Sequence, residues 1–221
     1  QPATTSIPVV FVVVNNPVGQ GFISNLSRPG SNVTGFSFIE PEIVGKWVVL
    51  LGDVKSDLSR ITFMFNPDTA PYYEGYVRSF KASPQQASVE LTAARVRTTA
   101  EAELAIAGMT PSAGLIAAAD PYIIRIRQMI LQAAAQHRVP VISPYRQFVE
   151  EGSLMSYGPD TTEIFRRSTS YIDRILKGES PGNLSAQSPD RFELFVNLRT
   201  AKALGLSVRE SFLLLADEVI E

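Results

Sequence analysis

The chain reads as an α/β protein whose strands form parallel sheets with helices on both faces. Three observations lead there. Short, near-continuous apolar runs recur at residues 8–14, 61–65, 114–118, 139–142 and 154–155. Helical patterns usually follow them, and strands buried on both faces lose the alternation of a half-exposed sheet. Each run also ends in a polar and aromatic loop: Asn15-Asn16-Pro17, Asn66-Pro67-Asp68, Asp120-Pro121-Tyr122, Ser143-Pro144-Tyr145 and Ser156-Tyr157-Gly158. In such sheets ligands bind beyond the carboxyl ends of the strands, so these loops are where a small molecule is expected.

The elements follow in order. The strand at 8–14 leads into a short helix at 19–26, closed by Arg28-Pro29-Gly30-Ser31, and a short strand at 32–37. Pro41 suits a first helical turn, and Val44, Trp47, Val48 and Leu51 continue at helical spacing. A strand at 58–65 precedes a helix at 73–82 with Tyr73, Tyr76, Val77 and Phe80 on one face. Residues 89–96 alternate as a strand. The helix at 99–107 takes Thr99 as its N-cap, with Glu101 and Glu103 near the positive end of the dipole. One long helix spans 121–137 and carries Ile123, Ile124, Ile126, Ile130, Leu131 and Ala134. After strands at 139–142 and 154–157, a second amphipathic helix covers 161–177. It turns Ile164, Phe165, Ser168, Ile172 and Ile175 inward, with Gly178 as its C′ residue. A polar connection at 178–190, a strand at 192–196, a short helix at 198–204 and an apolar tail at 213–220 complete the chain.

Residues 38–157 hold enough strands and helices for a complete α/β lobe. The flanks cannot bury a core of their own. The expected division is 1–37 with 158–190 as the remnant of a first lobe, 38–157 as the second, and 191–221 as a C-terminal strand, helix and tail belonging to either.

Composition narrows the function. Of 221 residues 45% are hydrophobic and 19% charged, as in folded globular proteins. A net charge of −2 leaves no basic footprint, so no nucleic acid partner is expected. The apolar run at 7–14 falls far short of the roughly 20 residues a membrane helix needs. No cysteine is present, which removes disulfides, thiol nucleophiles and cysteine metal sites. His137, the single histidine, lies in the last turn of a helix, where a positive group suits the dipole. Serine triads and common zinc sites are therefore not available. Gly19-Gln20-Gly21 lacks the third glycine of a dinucleotide loop and reads as a turn. No metal, cofactor or catalytic group is expected; the chain reads as a binder and not an enzyme. The glycosylation triplets at Asn25, Asn32 and Asn183 are common by chance and receive no role.

Aromatic residues gather at the strand ends: Tyr72, Tyr73, Tyr145, Phe148 and Tyr157. Each alone suggests packing, but several on one edge resemble the walls of a small-molecule cleft. Asp120 suits a helix N-cap and equally a partner for a ligand ammonium. Asn16 and Asn66 read as turn formers or as donors to a bound carboxylate.

Longer stretches carry a family likeness: Ile7-Pro8-Val9-Val10-Phe11 with Asn16-Pro17-Val18, Arg28-Pro29-Gly30-Ser31-Asn32-Val33-Thr34-Gly35, and Phe65-Asn66-Pro67-Asp68. So do Glu151-Gly152-Ser153-Leu154-Met155-Ser156-Tyr157-Gly158, Ile175-Leu176-Lys177-Gly178-Glu179, Asn197-Leu198-Arg199-Thr200-Ala201-Lys202, and the ending Ala216-Asp217-Glu218. Across them the chain resembles the solute-binding component of an ABC transporter, in the periplasmic-binding-protein type I class. It is most similar to the subgroup that binds tryptophan and related amino acids. The resemblance implies two Rossmann-like lobes with parallel sheets, joined by crossings near 36–38, 157–159 and 187–192. Family members usually carry a leader and further strand–helix units before the strand at Pro8. The likeness thus implies a first lobe truncated at its N-terminus, a signal peptide in the precursor, and a periplasmic or lipid-anchored protein. Family members often have Asp where Asn16 stands, which bears on amino-acid specificity.

The implied ligand is a small amino acid or aromatic carboxylate, held by Asn16, Pro17, Asn66, Thr69, Ala70, Tyr72, Asp120, Tyr145, Phe148 and Tyr157. An ABC permease is the implied partner, and apolar surface beside residues 9–14 is expected to be covered by a homodimer or partner. The alternative is the ligand-sensing domain of a transcription regulator or receptor with the same fold.

Overall fold

The computed structural model describes residues 4–81 and 89–221; the expected helix end at Ala82 lies outside them. In chain order the elements begin with β1 (Val9–Val14), β2 (Val33–Ser37), α1 (Ile43–Val54), β3 (Arg60–Phe65), α2 (Tyr73–Lys81), β4 (Glu90–Arg95) and α3 (Thr99–Ala107). They continue with β5 (Ala113–Ala117), α4 (Pro121–Arg125), α5 (Arg127–Gln136), β6 (Val141–Ser143), α6 (Arg146–Glu150), β7 (Met155–Pro159) and α7 (Thr161–Leu176). After a 3-10 turn at Pro181–Asn183 come β8 (Phe192–Asn197), α8 (Leu198–Leu204), α9 (Glu210–Leu213) and β9 (Glu218–Ile220). The chain divides into two compact units, Gln1–Glu40 with Pro159–Phe192, and Pro41–Gly158 with Glu193–Glu221.

In the first unit β1 and β2 run parallel, Val9 opposite Val33 and Val12 opposite Phe36. The register slips between Val12 and Val14, a bulge of a kind that is rare in parallel pairs. Helix α7 lies over both strands. It buries Ile164, Ser168 and Tyr171, and the Tyr171 ring sits 4.8 Å from that of Phe36. The expected inward turn of Phe165 and Ile172 is corrected: they are 57% and 44% exposed. Two strands offer a narrow platform, and the apolar stripe of α7 is wider than the surface beneath it. The expected helix at 19–26 is corrected too, since the segment is a run of turns. Gln20 N donates to Asn16 O, Gly21 N to Val18 O and Phe22 N to Pro17 O, closing separate turns. A small cluster of Ile23, Val33 and Ala186 with Phe11 and Leu26 forms the core beside it.

The second unit is built on a seven-stranded sheet in the order β4-β3-β5-β6-β7-β8-β9. The pairs β3–β4, β3–β5, β5–β6, β6–β7 and β8–β9 are all parallel. β5 and β6 are buried at every position, as are residues 61–65 of β3, which explains their lack of alternation. The C-terminal strand β9 lies on β8, with Phe195 opposite Glu218, so the tail of the chain extends this sheet. On one flank Trp47, Phe63, Phe65, Tyr73 and Tyr76 stack with centroids 4.8–6.4 Å apart. Thr98, and not Thr99, caps α3, in a reciprocal box with Glu101. The long helix expected at 121–137 is two helices, interrupted at Ile126. Arg127 Nη1 donates to Ile124 O at 3.0 Å at this break and pairs with Glu151 at 2.8 Å.

Gly158 lies so close to Pro144 that a Cβ there would overlap the proline carbonyl. Gly158→Ala is expected to lower unfolding free energy by about 1–3 kcal/mol, read from the urea midpoint at unchanged slope.

Candidate functional site

The order of the second sheet creates a crevice before any side chain is considered. From β3 the chain moves through α2 to β4 on one side, and returns through α3 to β5 on the other. The loops leaving β3 and β5 therefore diverge at a topological switch point, where open α/β sheets bind ligands. These are the loops of Asn66 to Tyr72 and of Ala118 to Asp120.

Asp120 ties them together. Its carboxylate is 0% exposed. It accepts from Asn66 N at 2.5 Å, Thr69 Oγ1 at 2.7 Å and Tyr122 N at 2.8 Å. One carboxylate thus caps α4 and holds the neighbouring loop. Asn66 closes that loop from within, its Oδ1 accepting from Asp68 N at 2.8 Å and Thr69 N at 3.3 Å. Tyr73 adds a second tie, donating its phenol to Ala119 O at 3.1 Å.

Of the ten residues expected on the ligand, five are buried structural groups. The Asp120 carboxylate is engaged by three internal donors. Asn66 is 5% exposed and committed to its turn. Ala70 is 0% exposed, its N–H given to Asn66 O. Phe148, at 0% exposure, packs in the main core with Tyr122, Ile126 and Leu131, because α6 turns it under the sheet edge. Pro17 is also buried, in the first unit. These five keep little or no exposed surface.

In the second unit Thr69, Tyr72, Tyr145 and Tyr157 keep exposed surface. The Tyr72 ring rests on Tyr73 with centroids 4.7 Å apart. Burial, with Tyr72 and Asp120 nearby, holds the Tyr145 phenol well above its ordinary range. Burial raises Tyr157 too, helped by Asp217. Both phenols are neutral hydroxyls at physiological pH, able to donate as well as stack. The Tyr157 carbonyl accepts from Trp47 Nε1 at 2.7 Å, and Lys46 Nζ stands 5.8 Å from the Tyr157 ring.

Lys46 and Asp217 are neighbours that the sequence did not reveal. A lysine on a helix reads as a solvated face, and Asp217 is 60 residues from Tyr157 in the chain. Only the placement of β9 beside β8 brings it near. In the first unit, Asn16 follows the β1 bulge with φ 42° and accepts Gly19 N on Oδ1 at 2.8 Å.

His137 is exposed at the end of α5. Among the described residues, no group of three or more His, Asp or Glu could hold a metal ion. A groove of about 620 Å³ lies between α5 and α8, lined by Leu131, Ala134, Val139, Leu154, Arg199 and Leu204. It sits at the amino ends of β6 and β7, the opposite end from the crevice.

A family model described as ABC transporter substrate binding protein matches residues 1–220. The chain belongs to this family. Among substrate-binding proteins it is 23% identical over 205 residues to a tyrosine-binding protein of Clostridioides difficile (strain R20291). That match takes in 92% of this chain and 59% of the curated relative's length. A conserved domain protein from Vibrio cholerae O1 biovar El Tor superposes with a TM-score of 0.89 at 28% identity, over 98% of this chain and 73% of that one. An ABC domain from Streptococcus pneumonia, solved in complex with L-Trp, also gives 0.89, at 22% identity over 99% and 73% of the two chains. The expected fold of periplasmic-binding-protein type, α/β with mostly parallel sheet, is thereby established. No helix among the described residues is long and apolar enough to cross a membrane.

Asp120→Ala strands two buried backbone donors and the Thr69 hydroxyl. It is expected to lower stability by about 3 kcal/mol, and Thr69→Val by about 1 kcal/mol, both read by chemical denaturation.

Proposed function

We propose that the chain is the solute-binding component of an ABC importer and takes a small amino acid or aromatic carboxylate, with L-tyrosine and L-tryptophan the leading candidates. One observation carries the reading. Tyr72, Tyr145 and Tyr157 stand partly exposed at the carboxyl edge of a single sheet. Such a rim offers flat apolar surface and a few hydroxyls, which suits an aromatic solute. The tyrosine-binding relative and the neighbour holding L-Trp support the same ligand class.

The role is recognition without transformation. Ligand binding shifts the conformational population by its differential affinity, and the favoured form is presented to a membrane permease. A periplasmic or lipid-anchored location follows from that role. The edge of β1 suits a second copy of the chain: Ile7 is 64% exposed and Val9 36%, and residues 7–27 carry no charge to repel self-pairing. Sedimentation equilibrium is expected to show a concentration-dependent dimer, and a monomer at all concentrations would remove this partner.

L-Tryptophan or L-tyrosine at a hundredfold excess over Kd is expected to add about 2.7 kcal/mol of stability, seen as a raised melting temperature. Tyr145→Ala should weaken that ligand roughly tenfold by calorimetry. If no amino acid or aromatic acid moves the melting temperature, the reading fails.

A further inference from the structure

We propose that the face formed by α3 and α5 is a self-association surface, on which a second copy of the chain seats its own α3. The contact lies within the second unit and involves neither the crevice nor a ligand. Its origin is the composition of α3. Six of the nine residues of this helix are apolar and none is basic. On one side Ala102 and Ile106 are buried in the main core with Ile130, Leu131 and Ala134 of α5. On the other side Ala100, Glu103, Leu104 and Ala107 are all exposed, Leu104 at 73%. A surface helix turns polar residues outward, and a helix apolar all round is one that is covered all round. Among the described residues, α3 is covered on one side.

A hollow lies beside Leu104. The crossovers from β4 through α3 to β5, and from β5 through α5 to β6, advance across the sheet in one direction. Right-handed crossovers of that kind place both helices side by side on one face, running the same way. Between them is a groove of about 570 Å³, walled by Ala100, Ala107, Met129 and Ala133. These small residues recur at helical spacing on the two ridges, and a third helix packs its own ridge into such a groove.

Shape and charge select a second copy as the occupant. A two-fold contact needs a single surface that carries both a protrusion and the hollow to receive it. Leu104 and its neighbouring groove meet that condition. The charges divide in the same way. Glu101 is held in the capping box with Thr98, which leaves Glu103 as the acid that α3 offers to solvent. His137 and Arg138 stand exposed at the far end of α5. Glu103, His137 and Arg138 enter no ion pair among the described residues. Antiparallel seating of α3 on α3 puts the second copy's Leu104 into this groove and carries its Glu103 toward Arg138. The same arrangement opposes the two helix dipoles, which is favourable.

Sedimentation equilibrium tests this on the full chain carrying Ile7→Lys, which charges the β1 edge and leaves the α3–α5 face as it is. That chain is expected to show a monomer–dimer equilibrium. Adding Leu104→Lys should weaken the dimer about tenfold, through loss of the central apolar anchor. The melting temperature should not change, because Leu104 is mostly exposed in the single chain. Glu103→Arg and Arg138→Glu should each weaken the dimer about threefold. The two reversals together should restore it to within about twofold of the starting chain, as a direct pair requires. If Leu104→Lys associates as tightly as the starting chain, or the double reversal is no tighter than either single one, the inference is overturned. A starting chain that stays monomeric at every concentration overturns it as well.

Discussion

A single buried carboxylate organises the crevice of the second unit. Strand order makes the loops after β3 and β5 diverge, and two diverging loops have no backbone ladder to hold them. Asp120 supplies the missing tie, gathering a backbone N–H and a hydroxyl from one loop and a helix N-terminal N–H from its own. A carboxylate at 0% exposure is tolerable only because those donors replace its hydration. The same bonds that make its burial tolerable therefore set where Thr69 and Tyr72 stand.

Burial separates the residues at the strand ends into two sets. Asn66, Ala70, Asp120 and Phe148 are inside and give the loops their shape; Thr69, Tyr72, Tyr145 and Tyr157 are the ones with surface left. The aromatic stack of Trp47, Phe63, Phe65, Tyr73 and Tyr76 backs this rim with rings that have no room to reorient. Trp47 reaches from it to the Tyr157 carbonyl, so the end of β7 is anchored to α1. The first unit solves a similar problem with strain: the bulge at Val13 turns the end of β1 so that the Asn16 loop keeps its bonds to Ile39 and Phe38.

Membership of the substrate-binding family accords with this economy of chemistry. The polar groups at these strand ends either brace the backbone, as Asp120 and Asn66 do, or carry hydroxyls, as Thr69 and the tyrosines do.

The parallel α/β class was written in the chain because a strand buried on both faces must be apolar without alternation, and residues 61–65 and 114–117 are. The loops at the strand ends were legible for the same local reason: Asn, Asp and Pro break strands and cap helices. What the sequence could not assign was the occupation of each loop residue. Asp120 satisfies the rules for an N-cap and for a ligand contact, and only the folded chain shows its bonds to Asn66 and Thr69, more than fifty residues away in sequence. The orientation of α7 and the break at Ile126 were hidden because periodicity records which residues are apolar, while burial depends on how much surface the neighbouring strands offer. Chain order determined the elements; the contacts between distant parts of the chain determined which of their side chains keep exposed surface.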